Sequence, residues 1–305
     1  MKKFVINVLI VIVSVFAIDN LLGGYLNKHF SIRAFEPSYM AYNNKYDLVM
    51  FGASEMNNQY ISNIISDSLH ISAYNFGSGG QNIYYQYTLL NLMINNAPTK
   101  PRFVLFDPSY IDFYDTPGWN EEKMDVFYPM YEMDDTLTAM VNLQGWRSTI
   151  MLSLLKCYRH NSMIIAYVLK AIHPNKIINI NLGYSALEPK VFDKSLTRNE
   201  EDNNYTFDKQ KLKYLKRFIH QCKLNNIKLI FINAPYYEIS SEIKWINYLE
   251  EICDEENIVF LNYNNDSFFL SHRELYNDVM HFNKYGAEEY TKRIIPDLKN
   301  IINNN

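Results

Sequence analysis

The sequence switches repeatedly between two hydrophobic periods, and no other feature restricts the fold so strongly. The runs YDLVMFGAS (46–54), ISAYNFGSGG (71–80), RFVLFDPSY (102–110), IKLIFINAPYY (227–237) and IVFLNYNN (258–265) are short and apolar, and each is punctuated by Gly, Pro or Asn. That is the pattern of strands buried on both faces. Between the first two, NNQYISNIISDSLH carries Ile61, Ile64, Ile65 and Leu69 at helical spacing, and QNIYYQYTLLNLMINNA reads as a second helix. DKQKLKYLKRFIHQCKLNN, SSEIKWINYLEEICDEEN and the closing NKYGAEEYTKRIIPDLKNII continue the alternation. Strands and helices in this order are joined by right-handed crossovers and build a parallel sheet covered on both faces. The expectation is an α/β fold: a flavodoxin-like three-layer sandwich with about five parallel strands.

Ligands of such sheets collect outside the carboxyl ends of the strands. Ser54, the glycines Gly77, Gly79 and Gly80, and Asp107 all fall at such ends.

The alternation stops between Tyr110 and Tyr205, which predicts an insertion, 110–206, after the third strand of a domain spanning 46–303. IDFYDTPGWNEEKMDVFYPMYEMDD reads as an acidic, aromatic loop, the following apolar stretch to His173 as one or two helices, and the remainder as polar loop. The insertion is expected over the active-site edge as a cap. Its alternative is simple packing of apolar helices on the sheet or on a membrane surface. Trp119, Phe127, Tyr128 and Tyr131 suit either stacking on sugar rings or packing inside the cap.

At the N-terminus, Lys2 and Lys3 precede an apolar run from Phe4 to Ile18 broken only by Asn7 and Ser14. This predicts a signal peptide or membrane anchor over 1–22, with cleavage near Ala17 as the secreted alternative. The run approaches the roughly 20 residues of a span only with Asp19 and Asn20 at the interface. Either version places the rest of the chain outside the cytoplasm, because the positive end stays inside. Residues 23–45 read as a polar linker or stalk.

A net charge of -4 offers no basic footprint for nucleic acid. Cys157, Cys222 and Cys253 are widely separated and form neither a zinc motif nor a disulfide framework. The acidic loop lacks histidine partners, so no metal site is expected.

Ser54 stands where a strand meets a helix, which suits an N-cap as well as a nucleophile. A serine hydroxyl attacks only when a base takes its proton, and the base needs a group to hold it. Of seven histidines, six have ordinary readings in the stalk, the insertion, helices or loops, His272 among them; His281 lies after the last strand and just before the closing helix, on the edge that carries Ser54. Asp278 precedes it by one turn.

Asp278-x-x-His281, followed by Asn283 and Gly286, resembles the last signature block of the SGNH/GDSL hydrolase superfamily. FGAS resembles its nucleophile block, and NFGSGGQN its second block. The resemblance implies Ser54 as nucleophile, His281 as general base and then acid, and Asp278 as the group orienting the imidazole. It also implies an oxyanion hole from the Ser54 backbone and Gly80, or Gly79. Two departures stand out. Ala53 replaces the usual Asp before the nucleophile, and the third block, which normally supplies an Asn, reads FDPSY. Asp107 takes that place; Asn82, Asn57 and Asn58 are the other amides within reach. An anchor joined to such a domain is similar to envelope-glycan modifiers such as the alginate O-acetylation and D-alanyl-lipoteichoic-acid proteins. That similarity implies acyl transfer or ester hydrolysis on an envelope polysaccharide, without a cofactor and with a membrane-bound O-acyltransferase as partner. The alternatives are a non-catalytic glycan-binding or partner-binding module and a lipid esterase with an apolar lid.

Overall fold

The computed structural model describes residues 1–30, 35–118, 121–163, 167, 181–190, 206–237 and 244–304. Five strands form one sheet: β1 Leu48–Gly52, β2 Ala73–Asn75, β3 Phe103–Asp107, β4 Lys228–Asn233 and β5 Val259–Asn262. Their order is β2-β1-β3-β4-β5 and every pair is parallel. The flavodoxin-like sandwich expected from the sequence is therefore present. The chain runs from β1 outward to β2 and then returns to the other side of β1, so strand order switches between β1 and β3. In this class of sheet a crevice opens at that point.

Strand periodicity divides the interior into two cores. Val49, Phe51, Val104, Phe106 and Phe231 face one side, where α2 (Glu36–Tyr42), α5 (Ile83–Asn96), α8 (Lys209–Leu224) and α9 (Lys244–Glu256) pack. Leu48, Met50, Leu105, Ile230 and Ile232 face the other, beneath α3 (Ser54–Gln59), α4 (Ser62–Leu69), α10 (Ser267–Ser271) and α11 (Lys284–Asn303). β1 and β3 are buried along their whole length, so each large apolar side chain contributes about 1.5–3 kcal/mol by leaving water.

The segment NNQYISNIISDSLH is two helices, not one. The break at Tyr60–Ile61 is held from α11: the Thr291 hydroxyl accepts from Ile61 N (3.1 Å) and donates to Gln59 O (3.1 Å). One side chain thus satisfies the backbone groups that the interruption frees. The break turns Tyr60 inward.

Residues 23–45, expected as a linker, are helical in large part. α1 runs from Lys2 to Phe30, and α2 buries Ser38 and Ala41. α1 is long and apolar enough to cross a membrane. Asp19, past the middle of α1, accepts the backbone N–H groups of Lys156 (2.7 Å) and Cys157 (3.2 Å), tying the helix to the insertion.

The insertion closes on itself through an antiparallel bridge between Tyr114 and Phe207. A 3-10 segment over Glu121–Met130, α6 (Asp135–Val141) and α7 (Trp146–Leu154) lie on the α5 side, adding Met124, Phe127, Leu137 and Met140 to that core. Packing on the body of the fold, the alternative to a cap, describes this part. Phe127 and Tyr131 are buried, and Tyr131 lies beneath the Arg159 guanidinium; neither is available to stack on a sugar. Trp119, residues 164–180 apart from Tyr167, residues 191–205, expected as polar loop, and residues 238–243, which include the start of the expected SSEIKWINYLEEICDEEN helix, lie outside the described residues.

Residues 181–190 cross instead to the α3 side. Leu182 O accepts from Asn75 N (3.0 Å), Ser185 N donates to Asn57 O (2.9 Å), and Leu187 O accepts from Lys284 N (2.8 Å). They form a strap along α3 to the start of α11.

Candidate active site

β1 ends at Gly52, where a side chain has no room: a Cβ would meet Asp107 O at 2.6 Å and Met56 Cβ at 2.6 Å. This close approach lets the chain turn from strand into α3 within two residues. Ala53 occupies the N-cap position and Ser54 the first helical position. The N-cap reading of Ser54 is therefore corrected; its hydroxyl caps nothing.

It meets His281 instead. Ser54 Oγ lies 2.7 Å from His281 Nε2, and His281 Nδ1 lies 2.7 Å from Asp278 Oδ1. Asp278 Oδ1 also accepts from Met280 N (3.0 Å) and His281 N (3.0 Å). The carboxylate accepts at Nδ1, so that nitrogen carries the proton in the neutral ring and Nε2 presents its lone pair to Ser54. The turn is fastened to the fold at two points: Gln59 Nε2 donates to Met280 O (2.7 Å), and Tyr237 N donates to Val279 O (2.9 Å).

Burial opposes charge on both Asp278 and His281, but their partners prevail. The hydrogen bond and charge of His281, with two backbone N–H groups, hold Asp278 below the usual carboxylate range. For His281, desolvation pushes downward, and the Asp278 hydrogen bond, the Glu55 charge and the Asp278 charge together raise the imidazole above its ordinary value.

Glu55 has no counterpart in the sequence reading. It is 2% exposed, and its carboxylate lies 3.1 Å from Ser54 Oγ. Ser54 has one proton, which goes either to neutral His281 or to Glu55. When His281 is protonated, Nε2 donates to Ser54 and the serine proton turns to Glu55, so Glu55 favours the imidazolium. In the sequence it resembles an ordinary first-turn acid; only its burial beside Ser54 distinguishes it. Lys190, at the end of the strap, opposes it by lowering the His281 pKa.

The second loop is stapled to α3 by Asn75. Its amide donates to Met56 O (2.6 Å) and Tyr60 O (3.0 Å), and its Oδ1 accepts from Gly77 N (2.8 Å). Gly77 has no space for a side chain, since a Cβ would sit 2.5 Å from Asn57 N. Gly79 lies beside Ser54, its virtual Cβ 3.9 Å from Ser54 Cβ, and Gly80 adopts φ +71°. Asn82 Oδ1 accepts from Tyr84 N (3.0 Å) and caps α5. The Asn57 amide donates to Gly183 O (2.9 Å), which ties its side chain to the strap. Asp107 is 1% exposed and accepts from the Tyr60 hydroxyl (2.6 Å), which is 3.2 Å from the Tyr290 hydroxyl. Burial raises the Asp107 pKa well above the carboxylate range, against the Tyr60 hydrogen bond. It belongs to a buried tyrosine network.

No family model matches the sequence, and no curated protein matches it. Thirteen solved chains do. Among them is a candidate acylhydrolase from Bacteroides fragilis NCTC 9343, 12% identical, with a TM-score of 0.38, over 85% of this chain and 88% of that one. At that distance the likeness carries nothing for the site, whose chemistry rests on its own geometry.

Chemically, that geometry offers a hydroxyl whose proton can pass to an oriented imidazole, beside glycine-rich backbone at the switch point of the sheet. Among the described residues no group of His, Cys, Asp and Glu could hold a metal ion.

Proposed function

We propose that the chain is an SGNH-like serine acyl esterase or O-acyltransferase, anchored by α1 and acting outside the cytoplasm on ester groups of an envelope polysaccharide. The observation that carries the reading is the continuous relay Ser54–His281–Asp278, with 2.7 Å at each link. Neutral His281 takes the Ser54 proton as Oγ attacks the ester carbonyl carbon. The tetrahedral oxyanion receives the backbone N–H groups of Ser54 and Gly80, or Gly79. As the C–O bond breaks, His281 returns its proton to the leaving alkoxide, leaving acyl-Ser54. Water or a glycan hydroxyl then attacks, its proton passing through His281 back to Oγ. Asp278 orients the imidazole and stabilises its protonated form. The acetyl group is the acyl class proposed, and a membrane-bound O-acyltransferase the proposed partner.

A fluorophosphonate probe tests the serine directly. The full chain in detergent is expected to label, and Ser54→Ala and His281→Ala to abolish labelling. A folded wild type that stays unlabelled overturns the enzyme reading.

One observation favours a second reading. β3 ends without an oxyanion Asn, and Asp107 is committed to Tyr60. Loss of one oxyanion donor typically costs about 10²–10³ in rate. A non-catalytic glycan-binding module would leave wild type unlabelled and Ser54→Ala unchanged in binding.

A further inference from the structure

α7 is the surface element that the fold itself leaves unexplained. Trp146, Ile150, Met151 and Leu154 are 69%, 46%, 38% and 54% exposed. At the 3.6 residues per turn of a helix they span an arc of about 140°, with the buried Leu152 on the opposite side. A soluble surface helix shows the reverse pattern. Arg147 lies within the arc, where a long cationic stem can reach past an apolar layer to water.

The position of α7 relative to α1 names what covers this face. Two residues beyond α7, Lys156 and Cys157 give their backbone N–H groups to Asp19. Gly23, one turn further along α1, approaches so closely that a Cβ would stand 2.4 Å from Lys156 Cβ. The carboxyl end of α7 is therefore clasped to α1 at Asp19–Gly23. From Phe4 to Leu22 the helix rises roughly 27 Å at 1.5 Å per residue, close to the hydrocarbon thickness of about 30 Å. With Lys2 and Lys3 at one boundary, the other falls at the clasp. Asp19 is tolerable at that depth because two N–H groups already satisfy its carboxylate.

We propose that α7 lies in the surface of the same bilayer that α1 crosses, with Trp146, Ile150 and Leu154 inserted at the headgroup–acyl boundary. The inference rests on the reading of α1 as an anchor. Two attachments, one spanning and one lying flat, fix the tilt of the domain on the membrane. A single span would let it swing. A tryptophan at the rim of such a face is suited to the interface, where an apolar ring and a polar N–H are both accommodated.

The test uses the full chain reconstituted into phosphatidylcholine/phosphatidylglycerol vesicles, with and without brominated acyl chains. Tryptophan emission is compared between wild type and Trp146→Phe, and aqueous iodide quenching is measured in parallel. The expected result is a loss of wild-type emission with brominated lipid that Trp146→Phe does not show, together with protection of Trp146 from iodide. Ile150→Glu/Leu154→Glu, on exposed positions, should abolish that loss while flotation with vesicles persists. Retention on vesicles with equal bromine quenching in wild type and Trp146→Phe overturns the docking of α7 and leaves the anchor standing. Trp146 freely quenched by iodide in retained protein does the same, and assigns the face to a protein partner instead. Failure to float with vesicles overturns the anchor and this inference together.

Discussion

Glu55 changes what the Ser54–His281–Asp278 relay is expected to do with pH. Its carboxylate is buried against Ser54, and its charge is among the causes that raise the His281 pKa. A histidine with a raised pKa remains imidazolium to higher pH, where it cannot accept the serine proton. Activity should therefore rise with pH through the elevated His281 value. Glu55→Gln keeps the size and a hydrogen-bonding group but removes the charge, so the imidazole loses protons more readily. The rising limb of kcat/KM for a chromogenic acetyl ester should move to lower pH. A limb that stays in place or moves upward would mean that Glu55 does not act on His281. Ser54 alone reads equally well as a helix start; the three relay residues were singled out in the sequence because His281 and Asp278 sit one turn apart just before the closing helix, on the edge that carries Ser54. Glu55 was not, because an acid in the first turn of a helix is unremarkable until its solvent exposure is known. The role open to Asp107 was hidden for a related reason: a strand-end carboxylate looks available, and only the inward turn of Tyr60 shows that it is occupied.

At the scale of elements, the β2–α5 loop and α3 are one mechanical unit joined by Asn75. Its side chain makes three hydrogen bonds while 2% exposed, reaching Met56 O, Tyr60 O and Gly77 N. Asn75→Ala leaves these buried backbone groups without that partner. The expected cost is roughly 2–4 kcal/mol, read as a lower Tm by calorimetry. The loop also carries Gly79 and Gly80, so kcat should fall in the fraction that remains folded. A stable variant with unchanged kcat would show that the loop holds its shape without the staple. The five strands and the principal helices around them were legible from alternating periods, because burial on both faces leaves a strong apolar signal. The break at Tyr60–Ile61 was not, since Ile61, Ile64 and Ile65 continue the helical spacing across it. What ends the helix is a hydroxyl from Thr291, more than two hundred residues away. Residues 23–45 misled for the converse reason: their polar composition suggests a stalk, yet Ser38 and Ala41 are buried on the α5 side.

At the scale of the whole molecule, the question is how the apolar N-terminal helix is joined to the rest of the fold. The connection in the structure is the Asp19 clasp, continued by His160, which lies 2.6 Å from Asn27 Oδ1 and 2.5 Å from the Tyr167 hydroxyl. His160 is buried, and desolvation lowers its pKa to about 4, so it remains neutral and pairs with both groups without a charge to solvate. α1 is thus held to the insertion at two levels about two turns apart, and a tether of that kind transmits orientation as well as proximity. Asp19→Ala removes the acceptor for Lys156 N and Cys157 N while leaving the apolar run of α1 intact. The expected outcome is faster amide hydrogen exchange in the peptide containing Lys156 and Cys157, with unchanged vesicle flotation and unchanged fluorophosphonate labelling of Ser54. Exchange at those amides equal to wild type would mean that the clasp is not closed in solution. Loss of labelling would mean that the α1 end of the molecule supports the Ser54–His281 geometry.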